Sequence, residues 1–175
     1  MKVTIFKNVY EKEAPHHIQL VTALSRIQEG KSKDLISEVR AGDKEKKKRL
    51  PVVCFSGEFS SRADDALFEH SGFIVLDFDH VDVKATKTAL ATDDYVHSCW
   101  VSPSGDGIKA LVQITNTERH RDHFRALITY FSKQYALEVD ESGVNESRAC
   151  FESHDVDIII KDEWKKFGAF SSEHA

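Results

Sequence analysis

Two aspartates, Asp77 and Asp79, stand one residue apart at the end of the apolar segment GFIVLDFDHVD, residues 72–82. Side chains alternate between the two faces of a β-strand, so these carboxylates are expected to share one face. A buried carboxylate is normally paired, hydrogen-bonded or bound to a metal, and Mg²⁺ and Mn²⁺ prefer oxygen ligands. The spacing therefore indicates a divalent-metal clamp, and the alternative is that both aspartates end the strand and cap the next helix. Because clustered like charges repel, changing either residue to asparagine is expected to leave the fold intact or to stabilise it.

A turn rich in serine and glycine, SPSGDGIK, occupies residues 102–109. Glycine permits positive φ and a close approach of backbone N–H groups to a ligand, and a series of such groups can hold a phosphate. Alternation directs the apolar residues of the following strand to the core, so Lys109 is expected on the other face, together with the aspartates. The alternative is a plain hairpin turn. The residues expected to hold phosphates are Ser102, Ser104, Gly105, Gly107 and Lys109.

Asp140 and Arg148 lie in a third polar segment, LEVDESGVNESRACF, residues 137–151. A third carboxylate and an arginine would complete a two-metal site for phosphoryl transfer. The Arg148 guanidinium is suited to bidentate phosphate binding, and the alternative is that it forms a surface salt bridge.

The elements expected to position these residues follow the order β-α-β-β-α-β between residues 72 and 153. That order predicts an α+β fold of the ferredoxin-like kind, with an antiparallel sheet, helices on one face and an open opposite face. The helix predicted at residues 117–137 carries an apolar stripe that should pack against the back of the sheet. A short helix is also predicted at residues 62–72. Residues 1–50 are expected to form a small N-terminal α/β extension packed on a core domain at 51–165, and residues 166–175 a disordered tail.

Composition and charge limit the possible functions. The net charge of −5 argues against simple electrostatic binding of nucleic acid, but carboxylates that hold cations count as negative here, so an enzyme acting on nucleotides is not excluded. The basic run AGDKEKKKRLP, residues 41–51, is expected to be a solvated loop or helix face, and the alternative is a contact with nucleic acid. Cys54, Cys99 and Cys150 are too scattered for a zinc site and are expected to be buried as small apolar residues.

With no membrane-length apolar run and no signal-peptide pattern, a cytoplasmic protein without membrane contact is expected.

The three motifs occur in the order VLDFD, SPSGDGIK and EVD…SRACF, and this order resembles the archaeo-eukaryotic primase superfamily, the primase-polymerase (PrimPol) domains. More narrowly, the chain looks like the VirE N-terminal domain family of bacterial mobile elements and phages over about residues 50–160. The resemblance implies an RRM-like palm at 51–165. It implies Mg²⁺ or Mn²⁺ bound by the catalytic residues Asp77, Asp79 and Asp140, and phosphate binding by Ser104, Gly105, Gly107, Lys109 and Arg148. Lys109 stands where many relatives have histidine.

The activity that the resemblance implies is metal-dependent nucleotidyl transfer, as in a DNA primase or polymerase, during replication of a mobile element or phage. The expected partners are nucleoside triphosphates, a single-stranded DNA template and a helicase-like module in the same or another chain. Two alternatives remain open at this point. One is a catalytically silent nucleic-acid-binding module of a replication protein, and the other is a metal-dependent phosphodiesterase that uses the same carboxylates.

Overall fold

Two four-stranded antiparallel sheets, a two-stranded antiparallel sheet and a set of helices build the protein, which a computed structural model describes from residue 1 to residue 168. The strands are β1 (Lys2–Phe6), β2 (His16–Gln19), β3 (Val52–Cys54), β4 (Gly57–Phe59), β5 (Leu67–His70), β6 (Phe73–Phe78), β7 (Val96–Val101), β8 (Ile108–Gln113), β9 (Cys150–Phe151) and β10 (Ile159–Ile160). The α-helices are α1 (Leu20–Glu29), α2 (Lys33–Arg40), α3 (Val83–Ala91) and α4 (His120–Tyr135). Short 3-10 helices occur at Lys44–Arg49, Asp64–Ala66, Thr117–Arg119 and Glu141–Gly143. The predicted α+β class is confirmed.

The central sheet has the strand order β10-β7-β8-β6, with β8 antiparallel to both β6 and β7. The aromatic and β-branched residues of β6 suit a strand that is buried on both faces. One face of the sheet packs against α4, as the apolar stripe predicts, with the rings of Phe78 and Phe131 at 5.2 Å between centroids. The residues that meet there include Ile74, Leu76 and Phe78 from β6 and Phe124, Leu127 and Phe131 from α4.

The opposite face of the central sheet is covered, so the expectation of an open face is wrong. Phe73, Val75 and Trp100 on this face pack into a second apolar cluster with residues of α1 and of the other sheet. That other sheet has the order β2-β1-β3-β9. Because β1 and β2 precede residue 50 while β3 and β9 follow it, the N-terminal segment shares a sheet with the core. The polar side chains at the end of β6 therefore lie at the margin of a buried interface.

Two predicted elements differ in the structure. The last strand of the expected β-α-β-β-α-β order, β9, pairs with β3 in the first sheet instead of joining the central sheet. Residues 62–72 form a 3-10 turn and the strand β5, not a helix, because β5 pairs with β4. Helix propensity is a weak preference that such tertiary pairing overrides.

The C-terminal segment is ordered as far as the structure describes it. Phe167 is fully buried, its N–H donates to the Gln113 carbonyl at 2.8 Å, and its carbonyl accepts from the Thr115 N–H at 3.0 Å. The expected disordered tail therefore does not include residues 166–168, and its remainder, residues 169–175, lies outside the described residues. All three cysteines are buried free thiols, as predicted. No helix within residues 1–168 combines the length and apolarity that crossing a membrane requires.

Candidate functional site

Asp77 lies at the centre of an ion-pair cluster at the end of β6. Its side chain is only 4% exposed. Lys109 Nζ donates to Asp77 Oδ1, and Arg148 Nη2 donates to Asp77 Oδ2 at 2.7 Å. Burial by itself would raise the pKa of Asp77, but the charges of Lys109 and Arg148 and their hydrogen bonds outweigh it and hold this pKa below its usual value. Asp77 is therefore a carboxylate whose two oxygens are both engaged by cations.

The β-sheet register brings Lys109 to Asp77, since the two residues are directly opposite each other on β8 and β6. The Lys109 side chain is 12% exposed. Burial acts to lower the pKa of Lys109, but the neighbouring Cys150 and the Asp77 carboxylate raise it, and the net shift is upward. Lys109 is therefore charged, and it lies on the face that strand alternation predicts.

Arg148 links Asp77 to a second carboxylate, that of Asp140. Its Nη2 lies 3.7 Å from Asp140 Oδ2 as well as 2.7 Å from Asp77 Oδ2. The Asp140 N–H donates to the Asp77 carbonyl at 2.9 Å, which holds this segment beside β6. Asp140 Oδ1 is already used locally, because it accepts from the backbone N–H and the hydroxyl of Ser142. Two of the three predicted metal-binding carboxylates thus converge on one guanidinium nitrogen.

Asp79, the third carboxylate, follows β6 and is exposed. It lines an open cleft, whereas Asp77 and Asp140 are not among the residues that line it. Neither Asp77 nor Asp79 caps α3, because Asp82 does so by accepting from the Ala85 N–H at 3.0 Å. Within residues 1–168, no three acidic, histidine or cysteine side chains are grouped so that they could hold a metal ion. The carboxylates of Asp77 and Asp140 share Arg148 as a partner, but together with Asp79 they do not form a preassembled metal centre within the described residues.

The serine-glycine turn uses its own polar groups to close on itself. The N–H of Gly107 donates to Ser102 Oγ at 3.1 Å, and the N–H of Gly105 donates to the Ser102 carbonyl at 2.9 Å. Gly105 has φ +84°, a conformation that favours glycine, and a Cβ on Gly107 would lie 2.8 Å from the Phe78 carbonyl oxygen. These two glycines and Ser102 shape the turn, and the side chains left exposed beside the cleft are those of Ser104 and Asp106.

A cleft of about 470 Å³ opens beside this turn. Four cationic side chains and two acidic ones line it, so its wall carries an excess of positive charge in a chain whose net charge is negative. The cationic residues are Arg40, Lys44, Lys47 and Lys109, and the acidic residues are Asp79 and Asp106.

Arg40, Lys44 and Lys47 are the site residues that sequence reasoning missed. Arg40 Nη2 donates at 3.0 Å to the carbonyls of Ser102 and His154, and thereby fixes the turn. Burial, followed by the positive charge of Lys109, lowers the pKa of Lys47 despite the nearby carboxylates. The basic run at 41–51 was the available signal, and it was expected to be a solvated loop or helix face; Lys47 within it is partly buried.

Comparison with known proteins identifies the family of this chain. Residues 45–159, about two thirds of the sequence, match the family model described as BT4734-like, N-terminal domain. No curated protein matches the chain. No solved structure matches it. The assignment to the VirE N-terminal domain family of PrimPol domains was wrong, because the matching family is a different one. The chain belongs to the family of BT4734-like N-terminal domains.

Proposed function

We propose that this domain binds a nucleoside triphosphate in the cleft and transfers a nucleotide to the hydroxyl of a nucleic-acid strand. The observation that carries the proposal is the convergence of Asp77, Asp140, Lys109 and Arg148 at the end of β6, next to a cleft with excess positive charge. Phosphoryl-type transfer depends chiefly on positioning the phosphates and stabilising their charge. The replication of a mobile element and the helicase-like partner rested on the corrected resemblance alone, and they form no part of this proposal.

A divalent cation is compatible with the donors that are present. Asp77, Asp79 and Asp140 offer the oxygen ligands that Mg²⁺ and Mn²⁺ prefer. The guanidinium between Asp77 and Asp140 marks a place where a positive charge is already favourable. When bound, such an ion would supply charge stabilisation at the phosphates and activation of the attacking hydroxyl. Both Asp77 oxygens already accept from cations, so an ion coordinated by Asp77 would share those oxygens with Lys109 and Arg148 or displace one of the two.

The side chains around Asp77 have roles that follow from their charge and geometry. Lys109 lines the cleft and presents a compact positive charge to a phosphate there. Arg148 can offer two parallel N–H donors to a phosphate or carboxylate. Ser104 adds an exposed hydroxyl, and Arg40 holds the turn that carries it. The ligand class proposed from this set is a triphosphate, with a single-stranded DNA template as the partner of the reaction.

A binding function without catalysis is the second candidate, and one observation favours it. Asp77 is neutralised by two cations, and residues 1–168 contain no preassembled group of three metal ligands. A domain of this kind would bind a nucleotide or a nucleic-acid strand in the cleft and would not incorporate nucleotides. It would bind equally well with and without divalent metal.

The experiment that separates these functions is primer extension on a single-stranded template, with Mn²⁺ and with ribo- or deoxynucleoside triphosphates. Asp79→Asn is the informative variant, because Asp79 is exposed and its replacement leaves the ion pairs of Asp77 intact. The matched control is Asp94→Asn, since Asp94 is an acidic side chain that is 63% exposed and precedes β7, away from the cleft.

We expect the wild type and Asp94→Asn to extend the primer, and Asp79→Asn to fall to the level without enzyme. If the wild type binds the template but incorporates no nucleotide, nucleotidyl transfer is refuted and the binding function stands. Release of mononucleotides from the template, without incorporation, would instead favour a phosphodiesterase. If Asp79→Asn retains full activity, Asp79 is not a metal ligand of the reaction.

A further inference from the structure

Lys47 faces the same cleft as Lys109 but belongs to a separate part of the chain. It lies on the 3-10 helix Lys44–Arg49, ahead of β3, whereas Lys109 is on β8. Its Nζ is 5.4 Å from the centre of the Phe151 ring. A lysine ammonium is attracted to the face of an aromatic ring at this range, so the contact favours a defined position of the side chain.

Lys47 forms no direct ion pair with a carboxylate among the described residues, whereas Lys48 and Lys109 each form one. Lys48, the next residue, forms an ion pair with Glu45 at 3.2 Å and is largely exposed. Lys109 is paired with Asp77. Lys47 is partly buried and forms no ion pair or hydrogen bond through Nζ within residues 1–168. The carboxylates of Asp79, Asp106 and Asp77 act to raise the pKa of Lys47, but burial and the positive charge of Lys109 outweigh them. An anion bound in the cleft would add the direct partner that Lys47 Nζ lacks.

We propose that Lys47 is a second phosphate-binding lysine, and that Lys47 and Lys109 together bind the phosphate chain of a nucleoside triphosphate. This inference rests on the proposed nucleotide site and extends it to the basic segment ahead of β3. It assigns the binding to one side chain of the segment rather than to the general positive charge of the run 44–49.

The volume and the charge of the cleft suit a triphosphate. A volume of about 470 Å³ lies within the range of about 300–1,000 Å³ that is typical of small-ligand pockets. Excess cations around a compartment of this size provide the charge that a compact polyanion requires. A strand of nucleic acid would need contacts that continue along a groove.

The test is a calorimetric titration of the full chain with inorganic tripolyphosphate, without metal, which probes the phosphate contacts alone. Lys47→Gln is expected to weaken binding about tenfold to a hundredfold, the effect of one lost charge-assisted hydrogen bond. Lys48→Gln is the matched control, because it removes the same charge from the same 3-10 helix and should stay within about twofold of the wild type. Lys47→Arg keeps the charge and the ring contact, and it should restore most of the affinity.

Each result supports or overturns the inference. Unchanged affinity in Lys47→Gln, together with a loss in Lys109→Ala, would overturn the role of Lys47 and leave the nucleotide site standing. Equal losses in Lys47→Gln and Lys48→Gln would show a general charge effect and also overturn it. If the wild type binds neither tripolyphosphate nor a non-hydrolysable nucleoside triphosphate with Mn²⁺, the proposed function itself fails. Binding of a single-stranded oligonucleotide through Lys47, without tripolyphosphate binding, would refute the triphosphate as the ligand.

Discussion

Replacing Asp77 by asparagine removes the negative charge that neutralises Lys109 and Arg148, while it leaves the volume of the side chain almost unchanged. Removing one partner of a buried ion pair typically costs about 3–5 kcal/mol, because the remaining charge is left without compensation. Asp77 and Lys109 are 4% and 12% exposed, so their pair belongs to this class. Arg148 is 28% exposed and keeps Asp140 nearby, so its share is smaller. We therefore expect Asp77→Asn to lower the free energy of unfolding by about 3 kcal/mol.

This result would reverse the expectation drawn from the sequence, that asparagine at position 77 is neutral or stabilising. That expectation assumed a cluster of repelling carboxylates. In the structure the neighbours of Asp77 are cations. The exposed Asp79 has no such role in the fold, so Asp79→Asn should change the free energy of unfolding by no more than about 0.5 kcal/mol.

The assay is urea denaturation at pH 7, followed by tryptophan fluorescence and circular dichroism. Trp100 is a suitable reporter, because it is buried and lies directly opposite Lys109 in the register of β7 and β8. Adding Lys109→Met to Asp77→Asn removes the unpaired ammonium as well. The double variant should therefore recover part of the lost stability, with a coupling energy of about 0.5–3 kcal/mol.

The acid limb of the stability curve gives a second readout on Asp77. Its pKa in the folded protein lies below the usual 3.8, so its contribution to stability is complete above about pH 4 and is lost as the pH falls through the lower folded value. Asp77→Asn should lose less stability than the wild type over that range. If Asp77→Asn is as stable as Asp79→Asn at pH 7, and its acid limb is unchanged, the ion-pair reasoning is refuted.

Two further predictions concern the fold around the site. Burial and mutual repulsion lower the pKa of His70, and burial chiefly that of His120, to about 4 from the usual 6.5. The unfolded chain binds more protons at these histidines than the folded protein does, so stability is complete above about pH 6.5 and should fall as the pH drops toward 4. Urea midpoints across this range should show less slope in His120→Asn. Gly107→Ala should cost about 1–3 kcal/mol in chemical denaturation, because a Cβ has no room there. The exposed Ser104→Ala in the same turn should stay within about 0.5 kcal/mol, and equal values for the two variants would contradict the steric argument.

The sequence by itself determined the elements whose signals are local. The apolar spacing of residues 117–137 predicted α4, and the first five elements of the predicted β-α-β-β-α-β order correspond to β6, α3, β7, β8 and α4. Periodicity reports which face of an element is apolar, and this property needs no knowledge of the partner. The same alternation placed Lys109 on the face of Asp77.

Only the tertiary structure decided which surfaces meet. Sequence reasoning left one face of the central sheet open, but the first sheet and α1 cover it with a second apolar cluster. It also placed β9 in the central sheet and a helix at 62–72, where pairing with β3 and β4 gives different results. Strand pairing between distant segments is set by the packing of the whole chain, and local patterns do not encode it.

The sequence and the tertiary structure also made separate contributions to the candidate site. The residue types predicted Asp77 as a metal ligand and Lys109 and Arg148 as phosphate-binding side chains, and this chemistry is part of the proposed function. The structure decided that Lys109 and Arg148 both form ion pairs with Asp77, and that Lys47 from a run expected to be solvated lies at the cleft. Coulomb energies depend on distance and on burial. Lys109 and Arg148 are 32 and 71 positions from Asp77 in the sequence, and they come within hydrogen-bonding distance of it only when the sheets assemble.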